Sequence, residues 1–183
     1  MKSVELIQKP FVLIRHGETP LNQQALIGGR TDVALTENGR EQAQSLAPFI
    51  QAYDFDLIAV SPLIRAKETA DLLFPEREKV IVAGIRERDW GLLEEQPQTM
   101  QLPYEETPPE GESWEAFILR VVEGLNEILN ISEFPLVIAH SGVFRVLRQL
   151  AYGSPYGARV NNVVPYLVIP GDREGSWEIR TFF

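Results

Sequence analysis

The sequence predicts one α/β domain built on a mostly parallel β-sheet. Short, continuous apolar runs alternate along the chain with segments whose apolar residues recur at helical spacing. Continuous apolar runs are typical of strands covered on both faces, and their alternation with helices is typical of a parallel sheet with right-handed crossovers. A chain of 183 residues has the length of one domain and buries about 70% of its unfolded surface. We therefore expect residues 1–183 to form a single α/β sandwich.

The predicted strands of the parallel sheet are four-residue apolar runs, at 11–14, 57–60, 80–83 and 136–139. Four predicted helices lie between or after these strands, at 37–53, 62–74, 113–129 and 142–152. Thr36 and Ser113 are each placed at the start of a predicted helix and are of the residue types that cap helix N-termini. The strands and helices therefore alternate in the order that a parallel sheet requires.

The end of the chain and one internal stretch depart from this alternation. Residues 166–169 and 177–181 have strand character and are joined by a turn rich in Gly and Asp, which predicts an antiparallel edge on one side of the sheet. Residues 92–114 are rich in Pro, Gln and Glu and lack periodicity, which indicates a long loop or lid.

Composition and charge narrow the classes of partner. The formal net charge is −9, from 17 basic and 26 acidic residues, so nucleic acid and anionic membranes are repelled at long range. The chain has no cysteine, which excludes disulfides and thiolate catalysis, and no apolar run has the length of a signal peptide core or a membrane span. We expect a cytoplasmic protein whose partner is a small phosphorylated substrate, and the oligomeric state stays open.

Polar residues follow each of the four predicted parallel strands. The fragments are RHGET, SPLIRAKET, IRERDWG and AHSG, and the first and last hold both histidines of the chain, His16 and His140. Because ligands bind at the carboxyl ends of the strands in open α/β sheets, these side chains are expected to meet at one edge.

The residue types at this edge predict a phosphate site. A neutral imidazole is a good nucleophile toward phosphorus, and guanidinium groups bind phosphate oxygens in pairs while neutralising them. Arg15, Arg65 and His140 around His16 would form a cationic cup in an acidic protein. Positive potential is then expected at one phosphate and little beyond it.

Backbone groups are expected to contribute to the same site. Gly17 would let the main chain pass close to the ligand. Ser141 and Gly142 begin a predicted helix and would offer amide N–H groups and the positive end of its dipole. Arg145, further along that helix, is interpreted as structural or peripheral, and Trp90 is interpreted as a packing residue.

Taken together, LIRHGETPLN, SPLIRAKETA, IRERDWG and VIAHSGVFRVL resemble the histidine phosphatase superfamily, also called the phosphoglycerate mutase-like family. The four fragments occur in the family's order from residue 11 to about residue 152. The resemblance implies a three-layer α/β/α sandwich with no required metal or cofactor. It also implies that His16 becomes phosphorylated and that Arg15, Arg65 and His140 bind the phosphate.

The same resemblance gives Glu87 the role of proton donor, with Asp89 as the alternative carboxylate. It places Thr19 and Asn22 in the wall of the pocket. The sequence departs from the family pattern at Glu95, where glycine is common, and this departure affects the conformation of the predicted lid.

Four functions remain open from the sequence. The leading one is a phosphomonoesterase, for which α-ribazole phosphate, sugar phosphates, phosphoserine and phosphorylated proteins are candidate substrates in short members of the family. A phosphoglycerate mutase is less favoured, because mutases of the family carry a substantial insertion where only 19 residues separate Gly91 from Gly111. The others are a non-catalytic phosphate-binding regulatory module and a metal-dependent hydrolase, although neither HxH nor HExxH spacing occurs.

Overall fold

The computed structural model describes residues 5–183, so the first four residues of the predicted domain lie outside it. Its single sheet has six strands: β1 (Phe11–Arg15), β2 (Ile58–Val60), β3 (Val80–Ile81), β4 (Leu136–Ala139), β5 (Pro165–Pro170) and β6 (Trp177–Thr181). The strand order is β3-β2-β4-β1-β5-β6. The first four strands in this order pair in parallel, and β5 and β6 complete the sheet in antiparallel pairings. The predicted parallel sheet with an antiparallel edge is confirmed.

Helices cover both faces of this sheet. They are α1 (Pro20–Gln23), α2 (Glu37–Ile50), α3 (Ile64–Leu73), α4 (Trp114–Ile131) and α5 (Ser141–Tyr152). Successive residues of β1 point to opposite faces, as the two-residue period of a strand requires. Leu13 packs in the core that α4 and α5 cover, and Val12 and Ile14 pack in the core that α2 and α3 cover. The three-layer α/β/α sandwich is therefore confirmed.

Side chains cap the helices as their residue types indicate. Thr36 Oγ1 accepts the amide of Gly39 (3.0 Å), and Ser113 Oγ accepts the amide of Ala116 (3.1 Å). Both predicted caps are confirmed. The short α1 was not predicted, although Thr19 at its N-cap and Pro20 at its first position were a readable signal for a helix start.

The prediction for the third strand was wrong in length and in burial. Only Val80 and Ile81 are in β3, and both are exposed, because β3 is the edge strand and pairs with β2 alone. Val82 turns back into the core, and Ala83 starts a 3₁₀ turn (Ala83–Ile85). A continuous apolar run can therefore form an edge strand as well as a central strand.

The segment 92–114 is a long connection with two 3₁₀ turns at its start, Gly91–Leu93 and Gln98–Met100. It folds back onto the stretch after α1, where Ile27 donates its amide to the Gln96 carbonyl and accepts the amide of Glu95 (both 2.8 Å). At Glu95 the backbone φ is +63°, in the left-handed region. The residue that replaces the family's glycine therefore keeps the backbone conformation that favours glycine. Across the part of the chain that is described, no helix is both long and apolar enough to span a membrane.

Candidate active site

A pocket of about 70 Å³ opens at the carboxyl ends of β1, β2 and β4. That volume holds roughly four or five water-sized groups, which suits a phosphoryl group. Seven of the nine predicted site residues line it: Arg15, His16, Thr19, Asn22, Arg65, Glu87 and Ser141. The four sequence fragments thus meet at one edge, as predicted. The other two predicted residues, His140 and Gly17, lie behind its wall.

His16 presents one ring nitrogen to the pocket in a fixed tautomer. Its Nδ1 lies 2.7 Å from the carbonyl oxygen of Gly17, so Nδ1 carries the proton and donates it. Burial, and then the charges of Arg65 and Arg15, lower the pKa of His16 well below its usual value. The ring is therefore neutral near pH 7, and Nε2 keeps a lone pair for nucleophilic attack.

Arg65 contacts the edge of the His16 ring that faces the pocket. Its Nε donates to His16 Nε2 (3.2 Å), and its two Nη atoms donate to the carbonyls of Thr31 (2.8 Å) and Gly29 (2.7 Å). Each Nη atom carries a second hydrogen, which remains for a ligand. Three anchors fix the plane of this guanidinium before any anion arrives.

Arg15 supplies the second guanidinium. Its Nη1 donates to the carbonyl of Val160 (2.9 Å), and its buried Nε has no hydrogen-bond partner among the described residues. An unpaired buried N–H is costly, so this atom marks a place where an acceptor belongs. A phosphate oxygen in the pocket would satisfy it.

His140 lies behind His16, with the ring centroids 5.2 Å apart. His140 Nε2 lies 2.6 Å from Ser61 Oγ, which also accepts the amide of Leu63 (3.4 Å). The other ring nitrogen, Nδ1, is buried and has no hydrogen-bond partner within residues 5–183. Burial, followed by the charge of Arg65, lowers the pKa of His140 well below its usual value, so the ring is neutral near pH 7. Ser61, which the sequence analysis did not single out, orients this ring.

Glu87 is the carboxylic acid of the pocket. Its two oxygens accept the amides of Arg88 (2.9 Å) and Gly142 (3.0 Å). Burial raises the pKa of Glu87, and these hydrogen bonds with the charges of Arg65 and Arg15 oppose the rise only in part. A raised pKa keeps more of the acid protonated near neutral pH, which suits a proton donor.

The alternative carboxylate, Asp89, lies elsewhere. It is outside the lining of the pocket, where Oδ2 pairs with Arg30 Nη1 (3.2 Å) and Oδ1 accepts the amide of Gly91 (2.8 Å). Geometry therefore favours Glu87 as the proton donor over Asp89.

Two backbone expectations require correction. The amide of Gly142 is bonded to Glu87 and is not free for a phosphate, although both Ser141 and Gly142 line the pocket. Gly17 does not line the pocket: its amide donates to Thr69 Oγ1 (3.0 Å), and a Cβ there would meet the carbonyl oxygen of Gly39 at 2.5 Å. Gly17 is thus a glycine because β1 must pass close to α2.

Thr19 and Asn22 form a rigid part of the wall. Each side-chain oxygen accepts the other residue's amide, Thr19 Oγ1 at 3.3 Å and Asn22 Oδ1 at 3.1 Å. Asn162 donates to Asn22 Oδ1 (3.3 Å) and to the His16 carbonyl (2.8 Å). Because Oδ1 of Asn22 is occupied, its amide nitrogen is the group left for a ligand. Nothing near Asn162 in the sequence marked it as part of the site.

Arg88 connects the pocket to the segment 92–114 and was also missed from the sequence. Its fully buried guanidinium lies over the ring of Trp90, with Cζ 4.6 Å from the ring centroid. Its Nε and Nη2 donate to the carbonyls of Glu112 (3.0 Å) and Glu106 (2.9 Å). Trp90 is buried, as expected of a packing residue, and it also lines the pocket. Arg88 therefore fastens the predicted lid beside Glu87.

Within residues 5–183, no group of three or more His, Asp or Glu side chains is placed to hold a metal ion. The fold and the site together define an α/β protein with a positively charged pocket that suits an anion and is centred on a histidine. Comparison with known proteins matches residues 11–165 to the histidine phosphatase superfamily (branch 1). The chain belongs to that superfamily.

Three relatives illustrate its range. The uncharacterized phosphatase PhoE of Bacillus subtilis is 31% identical over 178 residues, which cover 93% of this chain and 92% of the relative. A 2,3-bisphosphoglycerate-dependent phosphoglycerate mutase of Nitrobacter winogradskyi is 30% identical, over 84% of this chain and 93% of the mutase. The crystal structure of the alpha-ribazole phosphatase from Shigella flexneri superposes with a TM-score of 0.78 at 27% identity, over 94% of this chain and 95% of that one. Membership and these names support a phosphatase of the superfamily.

Proposed function

We propose that the protein is a phosphomonoesterase that hydrolyses a small phosphorylated metabolite through a phosphohistidine intermediate on His16. The observation that carries the proposal is the neutral His16 ring, whose unprotonated Nε2 lies in a pocket between two guanidinium groups and a buried carboxylic acid.

The first step transfers the phosphoryl group to the protein. Arg65 Nε gives up its hydrogen bond to His16 Nε2, and the freed lone pair of Nε2 attacks phosphorus as the ester P–O bond breaks and its electrons leave with the ester oxygen. Glu87 gives its carboxyl proton to that oxygen, so the product leaves as a neutral alcohol.

The second step reverses the roles. The Glu87 carboxylate takes a proton from water, the water oxygen attacks phosphorus, and the P–N bond electrons return to Nε2. Inorganic phosphate leaves, and both His16 and Glu87 regain their starting protonation states.

Two fixed guanidinium groups and a neutral imidazole stabilise the charge that gathers on the phosphoryl oxygens. Arg65 and Arg15 each have N–H groups without a protein acceptor, and His140, whose Nδ1 is unpaired among the described residues, would donate a hydrogen bond from that nitrogen. Because protein contacts already hold these donors, little reorganisation accompanies the reaction.

The nature of the leaving alcohol is a second part of the proposal. The Shigella flexneri relative supports α-ribazole phosphate as one candidate. The Nitrobacter winogradskyi relative supports phosphoglycerate mutase as the alternative activity. We favour hydrolysis because the segment that covers the pocket is short and a short cover admits water. A non-catalytic phosphate-binding module is disfavoured, because each catalytic position that the family motif specifies is filled.

Rapid quenching tests the proposal. Mixed with excess p-nitrophenyl phosphate and quenched in base, the protein should retain one phosphoryl group per chain, stable to base and labile to acid, as a phosphoramidate is. His16→Ala should lose this adduct, and His140→Ala, which removes the other buried histidine, should keep it at reduced rate. An adduct that survives His16→Ala would refute the nucleophile.

Two further measurements separate the alternatives. Phosphoglycerate isomerisation, with 2,3-bisphosphoglycerate present, that outpaces phosphate release from every monoester of a metabolite panel would establish the mutase. Activity that disappears on exhaustive chelation and returns with added metal would establish the metal-dependent hydrolase instead, whereas we expect activity to persist.

A further inference from the structure

A second, larger cavity adjoins the catalytic pocket. Its volume is about 600 Å³, and it shares Arg15, Tyr104 and Ser141 with the smaller pocket. Arg145 of α5 and Arg159 of the following loop form its far side. We call this space the outer cavity. Because the two cavities adjoin, the outer cavity has room for the alcohol part of a phosphomonoester whose phosphate occupies the smaller pocket.

The charge of the outer cavity differs from that of the whole protein. Three guanidinium groups line it, those of Arg15, Arg145 and Arg159, and no Asp or Glu is among the described residues that line it. None of the three takes part in an ion pair with a described carboxylate within 4.0 Å. In a chain with 26 acidic residues against 17 basic ones, this separation of charge marks a site for an anion.

Two of these arginines are held in place while part of their hydrogen-bonding capacity is unused. Arg145 Nη1 donates to the carbonyls of Pro155 and Gly157 (both 3.1 Å), and its buried Nε has no partner among residues 5–183. Arg15 also has one carbonyl contact, to Val160, but its unpaired Nε is the atom assigned above to the phosphate of the smaller pocket, so Arg145 and Arg159 are the main groups for a second anion. Carbonyl anchors orient the guanidinium groups without neutralising them, which leaves their charge for a ligand.

Arg159 completes the set from the solvent side. Its side chain is exposed, and its only hydrogen bond among the described residues runs from Nη2 to Gln98 Oε1 (3.2 Å). A single neutral contact leaves this guanidinium able to swing onto a bound anion.

We propose that the outer cavity binds a second anionic group on the alcohol part of the substrate, a carboxylate or a second phosphate. The proposal rests on the proposed function and narrows its substrate class to phosphomonoesters that carry another negative charge. It differs from two expectations from the sequence, that Arg145 is structural or peripheral and that positive potential extends little beyond one phosphate. Phosphomonoesters of alcohols without a second anion become poor substrates. α-Ribazole phosphate is the ester of an uncharged nucleoside, so this proposal disfavours it as the substrate.

Matched substrates test this class. The probes are ω-phosphooxy alkanoates of increasing chain length, the alkanediol bisphosphates and, as neutral counterparts, the corresponding ω-phosphooxy amides. We expect kcat/KM for the best probe with a second anionic group to exceed that for its neutral amide by about tenfold or more, the usual value of one charge-assisted contact. Comparison of kcat/KM between the phosphooxy alkanoates and the alkanediol bisphosphates identifies which second anion is preferred. Equal rates for charged and neutral probes at every length would overturn the proposal.

Variants assign the effect to the cavity. Arg159→Gln should reduce the ratio of charged to neutral kcat/KM toward one. Arg148→Gln is the control, because Arg148 lies on the same helix as Arg145 and binds the Tyr156 carbonyl but does not line the outer cavity. If the charged-to-neutral ratio of kcat/KM falls equally in both variants, the preference comes from long-range electrostatics, and a specific site is refuted.

A binding measurement separates this proposal from the catalytic one. By calorimetry, 3-phosphonopropionate, which cannot be hydrolysed, should bind more tightly than propylphosphonate, and Arg159→Gln should remove the difference. If that preference holds but no phosphohistidine forms, the proposed hydrolysis fails and the anion site stands. If the phosphohistidine forms but the preference is absent, the second site fails alone.

Discussion

Substitution of Gly142 by alanine should act on catalysis through Glu87. A Cβ at residue 142 would overlap Glu87 Oε1 and approach Phe117 Cζ to 3.1 Å. The backbone cannot yield easily, because Gly142 lies in the first turn of α5 and its amide is bonded to Glu87 Oε2. The carboxyl group must therefore rotate away from the ester oxygen, while no contact described for His16 or Arg65 involves Gly142.

The size of the effect follows from the role of the acid. A positioned general acid is worth about 10²–10⁴-fold. We expect Gly142→Ala to lower kcat for an alkyl phosphate by about a hundredfold or more, which raises the barrier by about 2.7 kcal/mol. p-Nitrophenolate leaves without a proton, so kcat for p-nitrophenyl phosphate should fall by less than about tenfold.

Steady-state kinetics of Gly142→Ala, Glu87→Gln and the double variant provide the assay. If both substitutions remove the same proton donor, the double variant should be no slower than the slower single variant. Equal losses on alkyl and aryl esters would mean that the pocket itself has collapsed, and additive losses would mean that Gly142 acts independently of Glu87. Either result would refute the reasoning.

Three further predictions concern stability and inhibition. Glu95→Gly should stabilise the fold by about 0.5–1 kcal/mol, because it removes left-handed strain at φ +63° of about 1–2 kcal/mol and costs part of that in chain entropy; calorimetry should show no gain for Glu95→Ala. Burial lowers the pKa of His16 and of His140 below 6.5, so the unfolded chain takes up protons that the folded chain does not. The free energy of unfolding by urea should therefore decrease as pH falls below about 6.5, and His140→Gln should flatten this slope; identical slopes would contradict the assignment. Orthovanadate, which adopts five-coordinate geometry, should bind about a hundredfold more tightly than inorganic phosphate as a competitive inhibitor, and comparable inhibition constants would count against a site built for in-line transfer.

The parts that were predictable from sequence are those encoded locally. Apolar runs located β1, β2 and β4, and residues that follow these strands must meet at one edge of a parallel sheet, which is why His16, Arg65 and Ser141 were found together. The cap at Thr36 was equally readable, because Thr at that position before a helix has a local function.

The parts that were missed depend on contacts between distant segments. Ser61 acts on His140 across 79 positions in the chain, and Asn162 reaches the His16 carbonyl across 146. Arg145 donates to two backbone carbonyls and forms no ion pair with a described carboxylate. These contacts join different parts of the chain, so no local sequence pattern predicts them. Gly142 was correctly placed at the pocket, but the partner of its amide was wrong: the amide donates to the Glu87 carboxyl group and not to a phosphate.

The two adjoining cavities share five lining residues, Arg15, Gln98, Gln101, Tyr104 and Ser141, but differ in the others, and this difference separates reactivity from selectivity. His16, Arg65 and Glu87 line only the smaller pocket, whereas residues of the loop 156–160 line the outer cavity and not the smaller pocket. Loops tolerate exchange far better than core strands do. Evolution or a protein engineer could therefore retarget this molecule to a new alcohol by replacing the surface segment around 156–160, while the nucleophile and the acid stay untouched.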